Sequence, residues 1–507
     1  MVYILTRGAF AKCSLLYSLC LISGFRGLAA LSDPLPPQRI AVVGGGIGGT
    51  AAAYYLRQQF GKHVQIDIFE RDQVGGRLAT TTIQGLEYEI GGSVIHPRNL
   101  HMKDFARQLG LQERDSLVGL VGIYDGEAFT FEESSSFLTN IFRLYWRYGF
   151  SFIRLKMWLE DVLDKFMRIY RYQAHDHAFS TVENLLHALG GEQFTSMAQK
   201  SLAEVLLKAG YSQKFIDEMV TPVMRVNYGQ NQDIGAFVGA VSLAGAQPDV
   251  WAVKGGNRLV CKGLIYAANS QLTEGRVTSI EYQNRPSRAG GTISMYKLNY
   301  EKPESSYGLY DIIVLAAPLH KNMANISFLN FSSPIGDFSG KYHQTVTTLV
   351  HGLLNVSFFG YKNPNEFTLT EILTTDSTKN FINSIGALSP VSASGDFKVN
   401  LSEPTVWKIF SPEQLTEQQL NLLFVSYSSK FERTWLAYPH YVPKELFPPI
   451  ILHDNMYYLN SIEWAASAME MSAIAARNIA LLARHRWYQK ADQIDQENLY
   501  EKLKGEL

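Results

Sequence analysis

Cysteine is almost missing from this chain: three in 507 residues, at positions 13, 20 and 261. That count excludes a disulfide framework and a metal cluster built on thiolates, so stability must come from the core. An excess of one charge is missing too, with 46 Lys and Arg against 47 Asp and Glu. This balance argues against a generally basic nucleic-acid binder, and no nucleic-acid partner is expected. Beyond the first 30 residues, no stretch is long and uncharged enough to span a bilayer. Charged residues make up only 18% against 46% hydrophobic, too apolar for a disordered chain. There is no internal repeat and no low-complexity segment.

What is present begins with a leader. Arg7 and Lys12 precede a short apolar run from Leu15 to Ile22, and Gly27, Ala29 and Ala30 offer a cleavage site. Residues 1–30 are read as a signal peptide, which directs the chain into the secretory pathway. Its removal would leave Cys261 alone, read as a buried small hydrophobe. Four sequons, at Asn325, Asn330, Asn355 and Asn400, are glycosylation candidates and imply a solvent face between 321 and 402. The final Lys504-Gly-Glu-Leu507 lacks the Asp of an ER-retention tetrapeptide and is read as coincidence.

After the linker Asp33–Pro37, the strand Arg39–Val43 runs into glycines at 44, 45, 46, 48 and 49. A helical run, Thr50 to Phe60, and a second strand, Val64–Glu70, follow. This is a βαβ opening with a parallel sheet implied. Residues 101–235 read as mostly helical, with one long aromatic and basic helix over about 138–172. Short strands are expected within 277–300. A buried strand should end at Pro318, and further strands fall at 345–352, 404–409 and 456–460. A small-residue helix over about 465–485 closes the pattern.

The spacing Gly44-x-Gly46-x-x-Gly49 between strand and helix is a dinucleotide signature. The first glycine permits the tight turn, the second admits a pyrophosphate, and the third lets the helix pack on the strand. The helix N-terminus adds unpaired N–H groups. Glu70, at the end of the second strand, is placed to accept from a ribose 2′-OH and disfavours NADP. A second glycine pair, Gly75 and Gly76, precedes Arg77, a candidate for a charge-assisted phosphate contact. There is no second GxGxxG for a nicotinamide donor, which favours an oxidase over a reductase.

These segments resemble FAD enzymes of the amine-oxidase-like superfamily. The likeness continues in Tyr88–Ser93, whose Gly92 lies in a flavin-proximal turn. It also covers Trp251–Leu259, Val277 (adenine contact through its backbone), Ala316–Pro318, and Glu463 to Ala473 with Glu470. Longer stretches narrow the resemblance to the prenylcysteine oxidase family of thioether oxidases: Ile47–Arg57, Gly92–Pro97, Trp158–Arg171, Met224–Gln230 and Ala465–Ala476. Ser242–Gln247 also suits the family's oxidase-like branch. The implied fold is α/β. A Rossmann-type FAD-binding domain is assembled from 38–100, 236–320 and 441–485. A mixed helical and β substrate domain takes 101–235 and 321–440, and a tail follows over 486–507.

The resemblance implies oxidation of S-farnesyl- or S-geranylgeranyl-cysteine with O2 and water, giving cysteine, a prenyl aldehyde and H2O2, in the degradation of prenylated proteins. FAD carries the redox step, and the protein holds the allylic carbon beside it. Burying fifteen farnesyl carbons at ~0.8 kcal/mol each bounds the tail's contribution at about 12 kcal/mol. Phe137, Phe142, Tyr145, Trp146, Phe150, Phe152 and Trp158 are expected walls for it. Arg143, Arg147, Arg154 and Lys156 among them suggest peripheral association with an anionic membrane or a lipoprotein. The lysosome is the expected destination, with secretion on lipoprotein as the alternative. His96, Arg225, Asn227 and Tyr228 are candidates near the flavin ring or the cysteine carboxylate. Amine oxidases often place a lysine near the flavin; none is assigned in this sequence, and His351, in a comparable strand, is the candidate for that place. No metal is called for. An amine or polyamine oxidase, with an aromatic cage and acidic pocket, and a non-catalytic flavin or lipid carrier stay open as alternatives.

Overall fold

A computed structural model describes residues 35–497, apart from 116–118, 248, 287–291, 322, 337, 394–396 and 445. The expected leader, with Cys13 and Cys20, and the C-terminal tetrapeptide lie outside the described residues.

Strand β1 (Arg39–Val43) is buried over all but its first residue, as a β-branched run covered on both faces must be. It leads through the glycine loop into helix α1 (Ile47–Phe60), and strand β2 (Gln65–Glu70) returns parallel to β1. On β1's other side lies the parallel strand Ile312–Leu315. Six strands form this sheet, with Gln271–Glu274 beside β2 and the pair Ile451–His453 and Met456–Tyr458 at the opposite end. One face packs on α1 and the closing helix Met469–Trp487, whose alanines permit close contact. A four-stranded sheet covers the other, through Val277, Ile280, Leu298 and Tyr310.

A second, seven-stranded sheet runs in the order 424–439, 342–354, 405–411, 384–387, 369–374, 120–124, 129–132. Its pairings are antiparallel except that of Leu369–Thr374 with Leu120–Tyr124.

The segment read as mostly helical therefore contributes two strands to this sheet. Its helices include α2 (Leu100–Gln108), α3 (Phe137–Tyr148), α4 (Ser151–Phe166) and α5 (Arg168–Ala174). The single long helix expected over 138–172 is broken at Gly149, whose φ of +62° ends α3. The short strands expected in 277–300 are two long antiparallel ones, Arg276–Pro286 and Thr292–Lys302. Cys261 is buried, and burial pushes its thiol up to about 12. Among the described residues, no helix is long and apolar enough to cross a membrane.

Candidate functional site

The glycine loop is held by its own geometry. Gly44 adopts φ +116°, and a Cβ there would meet Ala316 O at 2.6 Å. A Cβ on Gly49 would lie 1.9 Å from Gly44 O, so helix and strand touch as no other residue allows. At Gly46 the nearest atom to a Cβ would be Gly75 O at 3.7 Å, so that position is open. A Cβ on Gly76, whose φ is +57°, would lie 3.6 Å from Gly46 Cα, so the two glycines face each other across the loop. The Gly45 and Asp72 N–H groups donate to the two Glu70 oxygens, at 2.7 and 2.9 Å, fixing the carboxylate at the loop.

This loop opens onto a cavity of about 710 Å³, within the range of small-molecule and cofactor sites. Gly44, Gly46, Glu70, Gly76, Arg77, Gly92, Val277 and Glu470 all line it, so these separated sequence segments meet in one place. Gly49 sits behind them, in the packing of α1 on β1. Helices α1 and Met469–Trp487 both begin at the cavity without a capping side chain. Their first-turn N–H groups offer two anion-binding ends. An open glycine cradle, a carboxylate at the end of β2 and two uncapped helix starts fit a dinucleotide bound along this wall.

Arg77 is more committed than a free phosphate ligand would be. Its guanidinium pairs with Glu463 and donates to Ala437 O at 2.7 Å. Tyr342 donates to the other Glu463 oxygen at 2.9 Å. Glu470 accepts from the N–H groups of His101 and Met102, in the first turn of α2, and from Tyr170 Oη on α5. Burial pushes its carboxyl up to about 7 against the pull of those three donors.

The remaining candidates divide. His96 lines the cavity with both ring nitrogens engaged. Its Nδ1 accepts from the Arg98 N–H at 3.1 Å, which leaves the proton on Nε2, 2.8 Å from Gln247 Oε1. Asn227 and Tyr228 also line it. Asn227 donates to Ser242, and Tyr228 donates to Ser467 O while meeting Tyr438 edge to face at 5.1 Å. Arg225 requires a correction. Two residues from Asn227 on one helical run, it points the opposite way. It holds Thr374, Asp376 and Ile382 O at the end of the second sheet, outside the cavity lining. His351 is likewise remote, bonded to Ser428 at the strand pair's surface. The aromatic wall is corrected too: Phe137, Phe142, Trp146 and Phe150 are exposed. The apolar lining comes instead from Val162, Leu163 and Phe166 of α4, then Met167, Phe237 and Val241.

Two groups in the second sheet gave no separate signal in the sequence. Lys408 is buried at an inward position of Thr405–Ser411, with Nζ 3.4 Å from Gly91 O. Burial lowers its ammonium to about 8, while Glu89 and Glu371 pull the other way. A lysine inside the apolar run Val406–Phe410 was the available hint. Arg433 lines the cavity from Phe424–Pro439.

Comparison with known proteins agrees with this architecture. The family described as prenylcysteine lyase matches residues 131–496, and an NAD(P)-binding Rossmann-like domain matches 42–109. Prenylcysteine oxidase 1 of Bos taurus is 56% identical over 473 residues, covering 93% of each chain. Prenylcysteine oxidase 1-like of Homo sapiens is 45% identical over 493 residues, covering 96% of this chain and 99% of its own. A triple mutant from a redesign of cofactor binding in putrescine oxidase shares the fold at TM-score 0.58 and 13% identity. The match covers 87% of this chain and 98% of that one.

Proposed function

Because the chain belongs to the prenylcysteine oxidase family, we propose that it is an FAD-dependent oxidase of farnesyl- and geranylgeranyl-cysteine thioethers. The products are cysteine, a prenyl aldehyde and H2O2, formed from substrate, O2 and water. The observation that carries this reading is the continuity of one cavity from the glycine loop to the apolar helical wall of α4. Bound along the loop, FAD would supply the hydride acceptor, with O2 as the final oxidant.

The chain's own residues do the rest. Gly46, Gly76 and the start of α1 would hold the pyrophosphate, Glu70 the ribose, and Val277 the adenine end. Val162, Leu163 and Phe166 desolvate the isoprenoid, so the tail contributes binding and fixes the position of the carbon beside sulfur. Two buried carboxylates on the lining, Glu463 and Glu470, are already committed to Arg77 and to three donors. That leaves neither carboxylate free to pair with a cationic amine. The test is anaerobic bleaching of the bound flavin by farnesylcysteine, with spermine as comparison. Bleaching by spermine alone overturns the reading.

We further propose that α3 and α4 dock on a lipid surface, where such a substrate is collected. Phe137, Phe142, Trp146, Phe150 and Met157 are 63–80% exposed around the Gly149 turn, and residues 134–159 contain no acid. Three of the basic groups turn inward: Arg143 to Glu132 O, Arg147 to Glu218, and Arg154 to Ala209 O. Hydrophobic insertion therefore leads, and charge follows. Replacing Phe142, Trp146 and Phe150 with serine should weaken vesicle binding about a hundredfold or more. Charge reversal at the arginines should do less. Co-sedimentation with phosphatidylcholine and phosphatidylserine vesicles measures both, and an unchanged triple variant removes the face from this role. Exposed sequon asparagines at 325, 330 and 400 support passage through the secretory pathway, of which the lysosome is the proposed destination, and Asn355 is half-buried.

A further inference from the structure

The cavity has a second wall, made by the seven-stranded sheet, and it is polar where the helical wall is apolar. Across three strands, Arg433 lies opposite Thr347, and Thr347 opposite Phe410. One step along, Trp435 lies opposite Thr345. All five residues line the cavity. The Arg433 guanidinium lies over the Trp435 ring, 4.1 Å from its centroid, and the indole N–H donates to Thr347 Oγ1 at 3.1 Å. The cation is thus held flat against a ring that is itself pinned.

Arg433 differs from the other arginines of this cavity. Arg71 pairs with Asp72, Arg77 with Glu463, and Arg98 with Glu160 and Asp164. Arg276 is exposed beside Glu70, at the dinucleotide end. Arg433 has an aromatic neighbour and no ion pair among the described residues. The Thr345 hydroxyl is buried beside Gly229, His343 Nε2 and Asn383 Nδ2, three residues outside the lining, and Thr347 already accepts the indole N–H, so the guanidinium is the polar group this wall offers a ligand. A half-buried cation on this wall, stacked on a pinned ring and without a counter-ion among the described residues, leaves room for an anionic ligand with oxygen acceptors.

We propose that Arg433, backed by Trp435, binds the α-carboxylate of the substrate's amino-acid head. This deepens the prenylcysteine reading and rests on it. The tail then lies along α4 and the head against the sheet, which orients an amphiphile without any covalent contact. It also specifies what must act upstream: hydrolases that free the carboxylate from peptide or ester linkage.

The test compares farnesylcysteine with farnesylcysteamine, which lacks only the carboxylate, in the flavin-loaded enzyme. The sulfones of both serve as binding probes in calorimetry, since their sulfur has no lone pair to assist hydride loss. Wild type should bind the acid roughly tenfold to a hundredfold more tightly than the amine. Arg433→Gln should bind both alike, raise KM for farnesylcysteine by the same factor, and leave KM for farnesylcysteamine where it was. Arg433→Lys should restore part of the preference. Equal binding of the two probes by wild type overturns the proposal, as does a preference that survives in Arg433→Gln. A carboxylate preference without flavin reduction by either thioether would instead sink the oxidase reading and leave the head-group site standing.

Discussion

Replacing Gly46 with valine should leave the chain folded and strip it of flavin. A Cβ at this position meets nothing nearer than Gly75 O at 3.7 Å, so the empty site tolerates it. The same carbon projects from the loop where a pyrophosphate must approach the backbone. Gly49→Val is the contrasting variant. Its Cβ would lie 1.9 Å from Gly44 O, a backbone atom that no rotamer relieves, so α1 must leave β1 and the fold should fail. Glu70→Ala lies between them, with a folded chain that holds flavin roughly tenfold to a hundredfold less tightly. The ratio of flavin to protein absorbance after gel filtration, read beside the melting curve, separates the three outcomes. Fully yellow Gly46→Val protein would move the dinucleotide off this loop.

The second large effect is expected at Glu470, and it is one of stability. Alanine there would orphan the N–H groups of His101 and Met102 and the Tyr170 hydroxyl, at a cost of about 3 kcal/mol or more. The pH dependence has a definite sign. Burial raises the folded carboxyl to about 7, above the ordinary 4.5, so the folded chain binds the proton more tightly between those values. The group's contribution is therefore full below about 4.5 and is lost as pH rises through about 7. The stability gap between wild type and Glu470→Ala should narrow from pH 5 to pH 8, measured by urea unfolding. A widening gap would mean that the donors outweigh desolvation and the carboxylate stays ionised throughout.

The chain's local patterns were enough for the dinucleotide loop and β1–α1–β2. Tight turns and helix starts depend on residues a few positions apart, and glycine spacing records them directly. Resemblance carried the family and the flavin, because those motifs keep their order over most of the chain. Local pattern misled at the aromatic stretch 137–158. A helix that buries an apolar stripe and one that shows it to solvent have the same periodicity, and Gly149 was one glycine among 40.

The direction in which Arg225 points, and the meeting of Arg433, Thr347 and Trp435, belong to the tertiary structure alone. Strand register places Thr345 opposite Trp435, 90 positions later. Pairings over such distances are decided by which faces the assembled sheet buries, and no short stretch of sequence encodes that. Spacing determined the loop that holds a nucleotide, and resemblance implied a greasy ligand; only the folding of two sheets around one cavity decided which cation is left to meet the ligand's charge.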